Sequence, residues 1–172
     1  AQAAEVANKI KEFGLSFDHV YCSPLQRARR TAEIITEVND LPAPEVKDLL
    51  IERDFGVMTG VEQSRVEELC APDILKTETI NYFLSPEGAE TFPDLLDRAG
   101  KLLDELIETY TDGSILLVTH GDFGKMVYAK YYDLGWEEVL SLFHFGNSEL
   151  LLLSGDSEPG EAHVFTILQH NS

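Results

Sequence analysis

The stretch from Pro93 to Gly121 restricts the fold more than any other part of the chain. Leu95, Leu96, Ala99, Leu102, Leu103, Leu106 and Ile107 recur at helical spacing, which predicts a long amphipathic helix over Pro93 to Tyr110 with these residues facing inward. Asp112-Gly113 supplies a turn, and Ser114-Ile115-Leu116-Leu117-Val118-Thr119 follows as an unbroken apolar run. Such a run suits a strand buried on both faces, the kind found inside a parallel sheet covered by helices.

The rest of the chain extends this pattern. Ala4, Val6, Ala7, Ile10 and Phe13 form one helical stripe over Gln2 to Phe13, and Gly14 sits where a left-handed cap belongs. His19 to Cys22 reads as a short buried strand. Ser23-Pro24-Leu25-Gln26 has the form of a capping box opening a helix that runs to about Val38. Val46 to Ile51 predicts a strand, Val61 to Cys70 a short helix, and a further helix starts near Asp122. Glu149 to Leu153 and His163 to Leu168 are two more strand candidates, separated by an acidic turn. Between Gly60 and Pro86 the pattern predicts only the short acidic helix and a loop. Alternating helices and strands point to an α/β fold: a three-layer α/β/α sandwich with a mostly parallel central sheet. No repeat or linker divides residues 1–172, so one domain is expected.

Charge narrows the choice of partners. The chain of 172 residues carries 31 acidic against 13 basic residues, a formal charge of −18. A surface this acidic repels nucleic acid and anionic membranes. Cys22 and Cys70 are too few for a disulfide framework and lack metal-ligand spacing, which fits a reducing cytoplasm. No apolar run approaches the ~20 residues that span a bilayer. The chain opens in a helix without an initiator methionine, and the expectation is that the natural protein extends upstream of Ala1.

In an open parallel sheet, ligands sit beyond the carboxyl ends of the strands. Three places qualify: Ser23 to Arg30, Glu52 to Gly60, and His120-Gly121. The first is a helix start, where unpaired N–H groups favour an anion, and three of the six arginines (Arg27, Arg29, Arg30) stand within it. A solvated basic face paired with Glu33 and Glu37 is the bland alternative. Cys22 invites a cysteine-phosphatase reading, but the arginine needed at position 28 is Ala28, so Cys22 reads as a buried strand residue. His120 follows a buried strand and precedes a glycine that lets a ligand approach the backbone. The other histidines, His19, His144, His163 and His170, lack such a setting. Glu52-Arg53 brings a carboxyl and a guanidinium toward the same pocket, where a carboxyl can donate a proton if burial or a nearby anion raises its pKa. Taken alone, it would be read as a surface cluster.

Together, Ser23-Pro24-Leu25-Gln26-Arg27-Ala28 with Thr31-Ala32, Glu52-Arg53-Asp54-Phe55-Gly56 with Gly60, and Val118-Thr119-His120-Gly121 resemble the histidine phosphatase, or phosphoglycerate-mutase-like, superfamily. Pro86 to Phe92 with Arg98 is similar to that family's Gly-Glu-Ser segment and the helix after it, although Ala89 intrudes. The resemblance covers nearly the whole chain. It implies a phosphoric monoester hydrolase working through a phosphohistidine, with Arg27 clamping the phosphoryl group, His120 bonding its oxygens and Glu52 protonating the leaving alcohol. Arg53, Gly121 and Ser23 are the candidate substrate-binding residues, and no metal or other cofactor is called for. The nucleophilic histidine of the family's Arg-His-Gly motif does not occur in this sequence. The resemblance therefore implies that the first strand is missing and that the nucleophile lies roughly 30 residues upstream, about one βα unit. This chain alone is then expected to be inactive. The short insert between Gly60 and Pro86, with Arg65 and Lys76 as its basic residues, favours a hydrolase over a mutase. The alternatives are a phosphate-binding pseudoenzyme and a phosphoglycerate-type mutase. A small phosphorylated substrate is the expected partner; its identity and the oligomeric state stay open.

Overall fold

The computed structural model describes residues 1–142, 149–156, 158 and 163–165. In chain order the elements are α1 (Gln2–Glu12), β1 (His19–Cys22), α2 (Gln26–Asn39), β2 (Glu45–Val46), α3 (Val66–Cys70), β3 (Ile74–Lys76), β4 (Asn81–Phe83), α4 (Phe92–Thr109), β5 (Ile115–Val118), α5 (Gly121–Tyr131), α6 (Trp136–Leu142), β6 (Leu150–Leu151) and β7 (His163–Phe165). Three-residue 3-10 turns at Asp48–Leu50, Gly56–Met58 and Gln63–Arg65 join them.

β2, β1 and β5 form a parallel sheet in that order, and β5 is an edge of it among the described residues. The two-residue period of a strand distributes its side chains between two helical layers. Val20 and Leu116 pack with Val6, Ala7 and Ile10 of α1 and Ile35 of α2. Tyr21, Ile115 and Leu117 face the opposite cluster, built from Leu95, Leu102, Phe123 and Met126 of α4 and α5. Helices therefore cover both faces of the sheet, the layering that the apolar run in β5 requires. β6 and β7 pair antiparallel as a separate two-stranded ladder.

The predicted elements shift in three places. The strand expected over Val46 to Ile51 is only Glu45–Val46, because its partner β1 ends at Cys22. Lys47 N–H still reaches the Cys22 carbonyl, and the chain then turns through Asp48–Leu50 to bury Leu50. At Ser23 no capping box forms: α2 begins at Gln26 without a side-chain cap, since the Ser23 hydroxyl accepts from Leu25 N–H and meets His120 instead. A true capping box opens α4, where Thr91 and Asp94 exchange side-chain and backbone bonds. The β3–β4 hairpin occupies the insert expected to be helix and loop, its Thr77 hydroxyl binding the Ile80 carbonyl to tighten the turn. Strand residues 166–168 and the histidines His144 and His170 lie outside the described residues.

The α4 stripe is narrower than its periodicity. Leu95, Ala99, Leu102 and Leu106 are buried, whereas Ile107 is 67% exposed beside a groove along β5. Replacing Leu102 by Ala is expected to cost about 3 kcal/mol, the usual range for a fully packed leucine. Ile107→Ala should change stability by less than about 0.5 kcal/mol. Urea denaturation of the two variants measures the contrast.

Candidate active site

Parallel pairing in register sets Cys22 beside Val118, so the residues that follow each strand emerge as neighbours at one sheet edge. Ser23 N–H extends the ladder by donating to the Val118 carbonyl at 2.9 Å. Its hydroxyl, fully buried, lies 2.7 Å from His120 Nε2. On the other side of the ring, His120 Nδ1 is 3.1 Å from Arg27 Nη2. A guanidinium only donates, so Nδ1 is the acceptor and the ring proton belongs on Nε2, directed at Ser23 Oγ. Burial, and secondly the Arg27 charge, hold the imidazole pKa down at about 4.

Glu52 reaches the same region from the loop after the Asp48–Leu50 turn. Its Oε1 accepts from the N–H of Arg53 at 2.8 Å and of Phe123 at 3.1 Å, and its Oε2 from Asp122 N–H at 3.3 Å. The last two are first-turn amides of α5 that have no partner within the helix. The carboxylate thus sits at the amino end of the helix that begins just past His120. Asp122, beneath it, is pushed up to about 6 by burial and then by the Glu52 charge.

Arg27 and Glu52 share a cavity of about 670 Å³, walled in part by Leu25, Ile51 and Phe55. His120 and Gly121 line a second cavity of about 970 Å³ that follows β5 and has β6 on its far side. Arg27 belongs to both, so the expected single pocket is two cavities meeting at one guanidinium. A side chain on Gly121 would meet nothing within 4 Å, which leaves its backbone approachable. Arg30 pairs with Glu33 on the surface, the bland reading of that basic cluster. The His19 ring packs against Tyr110 at a tilt of 34°, with ring centroids 4.2 Å apart, a packing role.

Arg53 does not have the open guanidinium that substrate contact calls for. Only 3% exposed, it donates from Nε to the Glu90 carbonyl at 2.6 Å and from Nη2 to the carbonyls of Phe83 and Leu84 at 2.9 Å. The rings of Phe83 and Phe92 lie 4.6 and 4.0 Å from its guanidinium carbon. Satisfying three carbonyls and stacking on two rings is what a buried arginine needs, and it makes Arg53 a structural tie under the cavity. Cys22 is 1% exposed, and burial pushes its thiol pKa up, the opposite of what a nucleophilic cysteine needs.

Fold and site together define a class of protein: a parallel α/β domain with a guanidinium and an imidazole in contact at one sheet edge and a carboxyl in the adjoining cavity. The chain belongs to the histidine phosphatase superfamily (branch 1), whose family pattern matches residues 1–167. It is 36% identical over 120 residues to the Bacillus subtilis protein named uncharacterized phosphatase PhoE, a match covering 70% of this chain and 55% of that protein. Against the 2,3-bisphosphoglycerate-dependent phosphoglycerate mutase of Bartonella tribocorum it is 26% identical over 145 residues, covering 82% of this chain and 70% of the mutase. The chain thus spans little more than half the length of the Bacillus subtilis relative. Among solved structures, a Mycobacterium tuberculosis protein matches with 26% identity and a TM-score of 0.65, over 81% of this chain and 67% of that one. The mycobacterial glucosyl-3-phosphoglycerate phosphatase shares the fold with a TM-score of 0.69 at 23% identity, over 86% of this chain and 73% of its own. Among the described residues no helix is long and apolar enough to cross a membrane.

The low His120 pKa has a measurable consequence. The unfolded chain takes up a proton near pH 6.5, whereas the folded chain refuses it until about pH 4. This contribution to stability is present above pH 6.5 and is lost as pH falls from there to about 4. A histidine NMR titration is expected to place the His120 midpoint near 4. Arg27→Gln should raise it, though not to the ordinary value, because burial is the larger cause.

Proposed function

We propose that this protein is a phosphoric monoester hydrolase acting through a phosphohistidine, with the nucleophilic histidine supplied by sequence upstream of Ala1. The observation that carries this reading is the contact between Arg27 and His120, with Glu52 fixed two residues from that imidazole at the start of α5.

In this scheme Arg27 spreads its donors over the equatorial oxygens of the transferring phosphoryl group, where negative charge accumulates. The arriving dianion offsets the Arg27 charge beside the imidazole, so His120 takes up a proton from solvent at Nδ1 and donates that N–H to a phosphoryl oxygen. Glu52 protonates the departing alkoxide as the phosphohistidine forms. In the second step the same carboxylate takes a proton from the water that attacks phosphorus, which restores the free histidine and releases phosphate. Ser23 keeps the imidazole oriented, Gly121 leaves the backbone open beside it, and Arg53 ties the Glu52 loop from below. Charge stabilisation and positioning supply most of phosphoryl transfer, so the scheme asks for no metal. The substrate is a small phosphate ester and the setting cytoplasmic, in line with the acidic, cysteine-poor composition.

Turnover of p-nitrophenyl phosphate by the full-length protein is the test. His120→Ala is expected to lower kcat by about 10²–10³-fold, the usual loss of one donor to a developing oxyanion. Rapid quenching should trap an acid-labile, base-stable phosphoryl-protein. Phosphate binding without turnover or trapping would instead identify a pseudoenzyme, and unchanged turnover in the variant would remove His120 from the site.

A further inference from the structure

Glu52 stands on irregular backbone between two 3-10 turns, with no strand ladder to locate it. Something else must hold its carboxyl. We propose that Arg98 and Glu90 are positioning residues that fix Glu52 against the amino end of α5, an inference that rests on Glu52 serving as the leaving-group acid.

Arg98 projects from α4 and uses its whole planar fork. Nε and Nη2 donate to the two Glu90 carboxylate oxygens at 3.0 and 2.8 Å, and Nη1 donates to the carbonyls of Leu49 and Ile51 at 2.8 and 2.7 Å. Nη2 also lies 3.4 Å from the Glu52 carbonyl. The guanidinium carbon stands 4.4 Å from the ring centroid of Phe123, the residue whose N–H binds the Glu52 carboxylate. One side chain therefore grips the backbone on the approach to Glu52 and covers the helix start that receives its carboxyl.

Glu90 completes the brace from the other flank. Its N–H donates to the Asp54 carbonyl at 2.8 Å, its carboxylate accepts from Asp54 N–H at 3.4 Å, and its carbonyl accepts from Arg53 Nε at 2.6 Å. The pair is well shielded, with side-chain exposures of 16% for Arg98 and 22% for Glu90. Lysine cannot replace this arrangement, since a point ammonium lacks the flat fork that serves a carboxylate, two carbonyls and an aromatic face together.

A positioning role predicts selectivity that a purely structural role does not. Expelling p-nitrophenolate needs no proton, whereas expelling an alkoxide does. In the full-length protein, Glu52→Gln is expected to lower kcat/KM for benzyl phosphate, which reports on phosphoryl transfer to the histidine and not on its later hydrolysis, by ~10²–10⁴-fold and to affect kcat/KM for p-nitrophenyl phosphate far less. Arg98→Lys should follow the same pattern with a loss of about 10–100-fold on benzyl phosphate, the scale expected of a displacement near 1 Å. Glu90→Gln, nearly isosteric, keeps the fold testable if Arg98→Lys does not fold, and should show a smaller loss in the same direction. Inhibition by inorganic phosphate should stay within about two-fold in both brace variants, because Arg27 and His120 are untouched. Equal losses on the two esters, or no loss, in Arg98→Lys and Glu90→Gln would overturn the inference. Lack of selectivity in Glu52→Gln would instead remove Glu52 as the acid.

Discussion

The site depends on the in-register parallel pairing of β1 with β5. Because Cys22 lies beside Val118, Ser23 and His120 leave the sheet as neighbours, with the Ser23 hydroxyl 2.7 Å from the imidazole. Arg27, near the start of α2, then falls within 3.1 Å of the imidazole. A shift of one residue in that pairing would turn the strand faces over and send these side chains into different layers. The two apolar clusters resist such a shift, since each takes alternate strand residues into a separate helical layer.

Electrostatics at this edge is divided between tied and open cations. Arg53 and Arg98 are bound to carbonyls, aromatic rings and the carboxylates of Asp122 and Glu90. Arg27 is exposed and reaches both cavities. The neutral imidazole next to it follows from the same economy of charge: burial and an adjacent guanidinium both oppose a second positive charge. In the proposed reaction an arriving oxyanion removes that opposition. The net charge of −18 has no explanation in this geometry.

Irregular backbone does much of the positioning. Gly56 adopts a φ of +52° and passes so close to Glu87 and Ala89 that a Cβ there would collide with their backbone atoms. That approach joins the loop carrying Glu52 to the segment carrying Glu90, and the bonds around Arg98 lock the two together. Family membership fits this construction, since Glu52, Gly56 and the Pro86–Phe92 segment all belong to the motifs that resemble histidine phosphatases.

Local sequence alone determined the layers and the functional edge. The apolar run at Ile115–Val118, the amphipathic stripe of α4 and the strand-turn-helix setting of His120 are short-range patterns, set by residue spacing and turn chemistry. The same patterns single out Arg27, Glu52 and His120 as candidates. Tertiary structure alone decided what each charged side chain is bound to. Arg53 and Arg27 are both arginines that follow a predicted strand, yet one is sealed under three carbonyls and the other is open, because burial depends on contacts far apart in sequence. The Glu90–Arg98 brace and the Ser23–His120 contact likewise leave no periodic trace, and Ser23 looked like a helix cap for the same reason. Hydrogen bonds between loops carry no repeat in the sequence, so only the packed chain shows which partners meet.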